Sequence, residues 1–232
     1  MTTLTDNALI RLQTWLSPSF PVGAFAYSHG LEYAVETGAI HDLDSLTEWV
    51  SGIISFGAGR VDAALFRTAY EAIVNDDNER LAWVVERADA QRATSEMALE
   101  STSQGRAFLE TLLKTWPQPR LIEWQKELKT LHRQPAYCVV IGASCAVAGM
   151  PLRPALAAYL NAVAANLVSA VVRLIPLGQT DGQRAVLDLE ATIIKTAAAT
   201  VTGNPDDLGS AALSVDWMST QHETQYTRLF RS

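Results

Sequence analysis

Apolar residues recur along the chain at spacings of three and four, and no stretch of six residues alternates cleanly between apolar and polar positions. The first pattern is typical of an amphipathic helix, whereas a half-buried strand would show the second. The apolar stripes of the predicted helices are Leu9, Leu12 and Leu16; Leu46, Trp49, Val50, Ile53 and Ile54; Leu65, Phe66, Ala69 and Ile73; and Val186, Leu187, Leu189, Ile193 and Ile194. The pattern predicts an all-α fold.

Capping residues, prolines and glycines divide this pattern into separate helices. The first helix must end by Pro18, and a capping box over residues 45–48 predicts the start of another. Residues 79–116 are rich in Glu, Arg, Ala and Leu and predict one or two amphipathic helices, followed by a short helix over residues 121–131. Because the chain has no repeat, low-complexity tract or long linker, we expect one all-α domain, a helical bundle, over residues 1–232.

Two uncharged stretches, residues 134–152 and 154–172, lie between consecutive arginines, and each has 19 residues. That length is enough to cross a bilayer. The second stretch, however, is dominated by alanine and carries Asn161, Asn166 and Ser169, and amide side chains oppose insertion. The two stretches therefore predict a buried apolar helix pair at the centre of a soluble bundle, with no membrane partner.

Charge and cysteine content narrow the class of protein further. The net charge of −7 argues against nucleic acid as a partner, because phosphate binding needs a basic surface. Cys138 and Cys145 both lie in an apolar run, which favours buried thiols in a reducing compartment over a disulfide framework. The first seventeen residues lack the basic start and apolar core of a signal peptide. We expect a cytoplasmic protein.

No motif in the sequence indicates catalysis or a cofactor. Ser28 and His29 are neighbours, so on a helix they would point about 100° apart and could not form a nucleophile–base pair. There is no G-x-S-x-G elbow, and neither 57–59 nor 178–182 fits the phosphate-binding loop G-x-x-x-x-G-K-[ST]. We therefore expect no catalytic residue, no cofactor and no nucleotide hydrolysis by this chain.

His29 and Glu32 are three residues apart, which on a helix would place both side chains on one face, as in a metal site. The other histidines are distant in sequence, and a closed site needs more than two ligands. We favour a helix N-terminus in which Ser28 or His29 caps and Glu32 complements the dipole, with no metal site. The alternative is a stand-alone small-molecule or metal-binding helical protein that uses His29 and Glu32.

The last residues, QHETQYTRLFRS, combine aromatic, aliphatic and basic side chains. Tyr226, Leu229 and Phe230 are spaced to share one helical face, and Arg228 and Arg231 flank them. Tyrosine and arginine are common interface anchors, so residues 216–232 are a candidate partner-docking tail. The alternative is a last helix that packs on its own domain.

Three blocks of the sequence resemble the UreF family of urease accessory proteins. The N-terminal signature of that family is similar to SPSFPVGAFAYSHGLE, residues 17–32. Residues 173–179, RLIPLGQ, resemble an internal block that begins with a basic residue, and residues 222–232 resemble the C-terminal tail. The blocks lie at matching places along a chain of matching length.

The resemblance implies an all-α, non-enzymatic chaperone that forms a homodimer. With UreD (also called UreH) and the GTPase UreG, such a protein promotes delivery of nickel into apo-urease. The GTPase would then be a separate chain, which is consistent with the missing phosphate-binding loop. Coupling to that GTPase would involve Arg173, at the end of the second uncharged stretch. Rigid aromatic side chains of the opening block would pack between subunits. The residues expected to contact partners are Phe20, Pro21, Phe25, Tyr27, Arg173, Gln225, Tyr226, Arg228, Leu229, Phe230 and Arg231.

Overall fold

A computed structural model of the chain describes residues 3–232, and over this range it contains helices and no β-strand. Twelve of the described elements are α-helices, and residues 24–26 form a short 3-10 helix. The α-helices are α1 (Asp6–Trp15), α2 (Leu31–Glu36), α3 (Leu43–Phe56), α4 (Ala58–Val74), α5 (Asn78–Ala90), α6 (Ser95–Thr115), α7 (Pro119–Thr130), α8 (Tyr137–Val147), α9 (Leu152–Val172), α10 (Gln179–Asp188), α11 (Glu190–Thr202) and α12 (Leu213–His222). The all-α prediction is confirmed.

The start of α3 differs from the predicted one by three residues. The predicted capping box began at Ser45, but the helix begins at Leu43 and its N-cap is Asp42. The Ser45 amide donates to Asp42 Oδ1 over 2.8 Å, and the Asp42 amide donates to Ser45 Oγ over 3.1 Å. A reciprocal box therefore exists, with aspartate as the cap and serine as the returning side chain.

Two other predicted stripes are also corrected. α1 ends before Pro18 as expected, but Ala8, Leu12 and Trp15 form its buried face, and Leu9 is 44% exposed. The stripe from Val186 to Ile194 spans two consecutive helices, α10 and α11, which meet at Leu189. Leu189 is fully buried and has helical backbone angles, so the hydrophobic pattern continues across the joint while the helix does not.

The predicted apolar helix pair is α8 and α9, and α8 lies at the centre of the core. Every residue of α8 from Cys138 to Cys145 is buried, and α8 packs closely along α4. At the crossing, a Cβ on Gly142 would lie 2.3 Å from the carbonyl oxygen of Phe66. Only glycine lets the two helix backbones approach this closely. Both cysteine thiols are free and buried as predicted, and burial raises their pKa.

α9 is the one described helix that is long and apolar enough, by length and composition, to cross a membrane. In this fold it contacts α2, α3, α4, α8, α10 and α11, and half of its most apolar window is buried against them. Its outward side carries small or polar residues, including Pro154, Asn161 and Ser169. The apolar side of the helix is therefore used in packing within this chain.

Candidate partner-docking site

The opening stretch, residues 17–30, connects α1 to α2 through turns and the short 3-10 helix. The chain enters α2 through two consecutive left-handed residues, His29 with φ of 60° and Gly30 with φ of 78°. A Cβ on Gly30 would lie 2.7 Å from backbone atoms of Ser219 in α12, so this position accepts only glycine. The tight turn brings α2 against α12, and the C-terminal residues follow directly from there.

The four opening-stretch side chains that were predicted to contact partners differ in exposure. Phe25 is 70% exposed, and Pro21 is also exposed. Phe20 is half-buried, with its ring centroid 4.9 Å from that of Phe108 in α6. Tyr27 is buried within its own chain. A partner would therefore meet Pro21 and Phe25 at the surface, whereas Tyr27 stabilises the stretch from below.

The C-terminal tail, defined here as residues 223–232, is not helical, so the predicted helical face of Tyr226, Leu229 and Phe230 is wrong. α12 ends at His222, and the tail runs back along the opening stretch as irregular chain. The Ser28 amide donates to the Ser232 carbonyl over 2.7 Å, and the Arg231 amide donates to the Ala26 carbonyl over 2.8 Å. Main-chain hydrogen bonds thus connect the two segments.

Exposure divides the tail into held and free side chains. Phe230 is 4% exposed and packs within the chain, which is closer to the alternative that the tail joins its own domain. Tyr226 is fully exposed and Leu229 is 64% exposed. Gln225 donates to Glu36 and Arg228 donates to Glu96, while Arg231 is exposed. Among the tail residues predicted to contact partners, Tyr226, Leu229 and Arg231 are exposed and have no side-chain contact described above, so a partner could reach them first.

Glu32 is the main attachment point of the tail. One of its carboxylate oxygens accepts from the Leu229 amide over 2.6 Å, and the other accepts from the Phe230 amide over 2.9 Å. The ring of His222 lies between this carboxylate, 3.3 Å from Nε2, and that of Glu96, 2.6 Å from Nδ1. Glu32 does lie in the first turn of α2, as predicted, but its carboxylate holds the tail.

Three carboxylates contact the tail or His222, which precedes it, and we call them the tail socket: Glu32 on α2, and Glu96 and Glu100 on α6. Its third member, Glu100, accepts from the Ser232 hydroxyl over 2.8 Å and lies 3.5 Å from His29 Nδ1. Sequence reasoning missed the socket because its parts are distant along the chain. One feature of the sequence could have indicated part of the socket. Glu96 and Glu100 are four residues apart, so they share one face of a helix, and their charge is opposite to that of Arg228.

Arg173 is the C-cap of α9, and its Nε donates to the Ser169 carbonyl over 3.2 Å. Its guanidinium carbon lies 4.5 Å from the centroid of the Phe230 ring, which is a cation–π contact. Partial burial lowers the pKa of Arg173, although an arginine stays cationic at neutral pH. The contact places Arg173 beside the tail.

The three segments singled out in the sequence therefore lie together. Residues 26–32, Arg173 and residues 228–232 form one continuous surface, although they are far apart in the chain. On that surface Leu229 and Arg231 are exposed, and Arg173 presents a charge. An exposed aliphatic side chain beside arginines, over a rigid support, has the composition of a protein-docking surface.

Beside this surface lies a cavity of about 600 Å³ between α1, the opening stretch, α6 and α9. Its floor includes a buried ion pair in which Arg92 Nη1 lies 2.8 Å from Asp62 Oδ1, and the Tyr159 hydroxyl donates to Asp62 Oδ2 over 2.8 Å. Burial by itself would lower the pKa of Arg92, but the Asp62 carboxylate outweighs it and the pKa is raised. Phe25 lies at the cavity edge.

Metal-ligating side chains do not gather anywhere in residues 3–232 into a group of three or more that could hold an ion. His29 and Glu32 each have another contact, with Glu100 and with the tail amides respectively. The pair predicted as the alternative metal site is thus used for tail attachment.

Comparison with known proteins shows the family. A profile of the UreF family matches residues 40–190, more than half of the chain. The chain belongs to the UreF family. A "Urease accessory protein UreF" from Rhodopseudomonas palustris strain BisA53 is 47% identical over 225 residues, covering 97% of this chain and 93% of that protein. Another, from Magnetococcus marinus strain MC-1, is 45% identical and covers 98% and 99% of the two chains.

A third UreF protein, from Bradyrhizobium sp. strain BTAi1, is 45% identical and covers all of this chain and 95% of its own. These alignments extend beyond residues 40–190 at both ends, so they include almost all of the opening stretch and the tail. The resemblance on which the sequence analysis depended is therefore confirmed at the level of the UreF family.

Proposed function

We propose that this UreF family member is a non-enzymatic, cytoplasmic chaperone of urease maturation. It joins UreD (UreH) and the GTPase UreG and promotes insertion of nickel into apo-urease, and it does so as a homodimer. The observation that carries the proposal is the joining of its three family-like blocks into one surface. Such a surface suits a scaffold, because one partner can contact the tail and Arg173 together.

The chemistry of the chain supports a role without catalysis. The sequence has no phosphate-binding loop and no nucleophile elbow. Ser28, which precedes His29, uses its hydroxyl to hold the Ser232 carbonyl. Energy from GTP would therefore enter the assembly through UreG, and nickel would be cargo that this chain helps to transfer.

The alternative of a stand-alone metal-binding protein is disfavoured by the same geometry. Both oxygens of Glu32 accept hydrogen bonds from tail amides, and His29 faces Glu100. Releasing these groups to bind a metal ion would first require the tail to leave its position.

Capture of UreD by the tail is tested with two leucines of similar exposure. Leu229 in the tail is 64% exposed, and Leu131 at the end of α7 is 60% exposed. If Leu229 is an anchor, Leu229→Ala weakens binding of purified UreD by about 1–3 kcal/mol, whereas Leu131→Ala leaves it unchanged. Isothermal titration calorimetry measures both. Equal affinities for the two variants would contradict docking through the tail.

Coupling to UreG is tested at the two ends of α9. Arg173 and Arg153 are both exposed and lie at opposite ends of this helix. We expect Arg173→Gln to lower urease activity in cells that express the whole operon, and to reduce co-purification of UreG, while Arg153→Gln leaves both unchanged. Wild-type urease activation by Arg173→Gln would remove the functional role of Arg173.

A further inference from the structure

His222 is completely buried at the point where α12 ends and the tail begins. Both ring nitrogens face carboxylate oxygens: Nδ1 lies 2.6 Å from Glu96 Oε2, and Nε2 lies 3.3 Å from Glu32 Oε2. A neutral imidazole carries one N–H and one lone pair, so one of its nitrogens would direct a lone pair at a carboxylate. Only the imidazolium form donates to both carboxylates.

The same two carboxylates hold the tail. Glu32 accepts from the amides of Leu229 and Phe230, and Glu96 accepts from the Arg228 guanidinium over 2.7 Å. His222 is therefore bound at the centre of the attachment, between α2 and α6. A change in its charge acts on each of these hydrogen bonds, because the carboxylates are shared.

The local charges add up to zero only when His222 is protonated. The groups that face its ring are Glu32 from α2 and Glu96 from α6, and Arg228 of the tail contacts Glu96 and the His222 carbonyl. Without the proton, the charges of two largely buried carboxylates are balanced by only one arginine, Arg228, which contacts Glu96. Such an excess of negative charge is unfavourable in a low-dielectric site. Further carboxylates on this side have other partners: Glu100 with His29 and Ser232, Glu36 with Gln225, and Glu223 with Ser95.

The geometry points to a proton-dependent latch: the tail is closed on the tail socket while His222 is an imidazolium, and it opens when that proton is lost. A rise in pH therefore releases the tail, and acidification closes it. Release uncovers Phe230 and separates its ring from Arg173, so the docking surface exists in two forms. The latch is a property of the isolated chain and does not depend on the proposed partners.

Nuclear magnetic resonance and hydrogen exchange on the full chain test the latch together. Nitrogen-15 shifts of the His222 ring report whether both nitrogens are protonated, and exchange protection of the Leu229 and Phe230 amides reports whether the tail is closed. We expect protection, corrected for intrinsic exchange, to fall about tenfold or more as the pH rises through the range in which the ring loses its proton, with the same midpoint as the ring signals. A neutral His222 ring beneath a fully protected tail would overturn the latch.

Three variants separate charge from structure. His222→Gln is uncharged and presents its NH2 group to one carboxylate and its carbonyl oxygen to the other, so we expect low protection that no longer changes with pH. Glu32→Gln keeps an amide oxygen for the tail but removes one charge, and we expect the pH dependence to weaken while the fold is retained. His41→Gln is the control, because His41 is exposed and its ring contacts Asp42 and the Gly38 carbonyl rather than the tail socket. Unchanged pH dependence in both His222→Gln and Glu32→Gln would refute the latch, even if His222→Gln lowers stability.

Discussion

Asp62 and Arg92 form a buried ion pair in which the arginine depends on a single carboxylate. The Arg92 side chain is 5% exposed, and Asp62 is the only carboxylate paired with it among the described residues. The Nε of Arg92 has no hydrogen-bond partner in the described chain, and one of the terminal nitrogens of Arg92 lies 3.6 Å from the Cys138 sulfur. A buried guanidinium in this state depends on one carboxylate for its charge balance.

Asp62→Asn should therefore destabilise the fold strongly. It removes the charge that neutralises Arg92 but leaves the arginine buried, and we expect the free energy of unfolding to fall by about 3–5 kcal/mol in urea denaturation. Asp207→Asn is the matched control, because Asp207 also pairs with an arginine, Arg60, but lies in solvent. Its unfolding curve should be nearly that of the wild type. Equal stability of Asp62→Asn and the wild type would contradict this dependence of Arg92 on the Asp62 carboxylate.

At the scale of helices, local sequence predicts the elements well and their contacts poorly. The helix pair α8 and α9, the two helices within 79–116 and the short α7 all follow from spacing and from prolines. By contrast, nothing in the sequence around Gly142 indicates that α4 crosses there, because the contact is with Phe66, 76 residues earlier. Local patterns report which residues are buried, but the partner of a buried face depends on the whole chain.

Two glycine-to-alanine changes, one at the α4–α8 crossing and one in α3, should have opposite effects on stability. Gly142→Ala would place a methyl group 2.3 Å from the Phe66 carbonyl oxygen, so the helices must separate, and we expect a loss of about 1–3 kcal/mol or more. Gly52→Ala in α3 meets no atom within 4 Å and should stabilise the protein by up to about 1 kcal/mol, because alanine favours the helix. Thermal unfolding compares the two. A stabilising Gly142→Ala would contradict the close approach.

For the molecule as a whole, the candidate docking surface is the part whose assembly local sequence patterns could not predict. Glu32 and Leu229 are 197 residues apart, and their hydrogen bond has no signature in either segment alone. The resemblance to the family singled out segments that the fold brings together, yet it gave neither the buried position of Tyr27 nor the attachment of Phe230 to its own chain. Contacts over such separations arise from the topology of the bundle, in which α2 and α12 are neighbours.

Self-association is predicted from the apolar side chains that this topology leaves outside. Phe25 is 70% exposed and Leu9 is 44% exposed, both line the cavity beside α1, and an exposed apolar patch of this kind is a common subunit contact. We expect light scattering at tens of micromolar protein to give twice the mass of one chain, and Phe25→Ser to shift that mass towards the monomer, because the change removes apolar area from the contact. Leu131→Ser, on the far helix α7, should leave the mass unchanged. A wild-type monomer at these concentrations would contradict the homodimer.

The attachment of the tail to Glu32 also fixes an order of events during synthesis. At about 5–20 residues per second, Leu229 leaves the ribosome roughly 10–40 s after Glu32. Throughout that interval the carboxylate of Glu32 and the backbone of Ser28 have no tail to bind, while the intervening helices are already able to pack. A partner that is present on the nascent chain therefore meets the opening stretch uncovered, before the tail first arrives to compete for it.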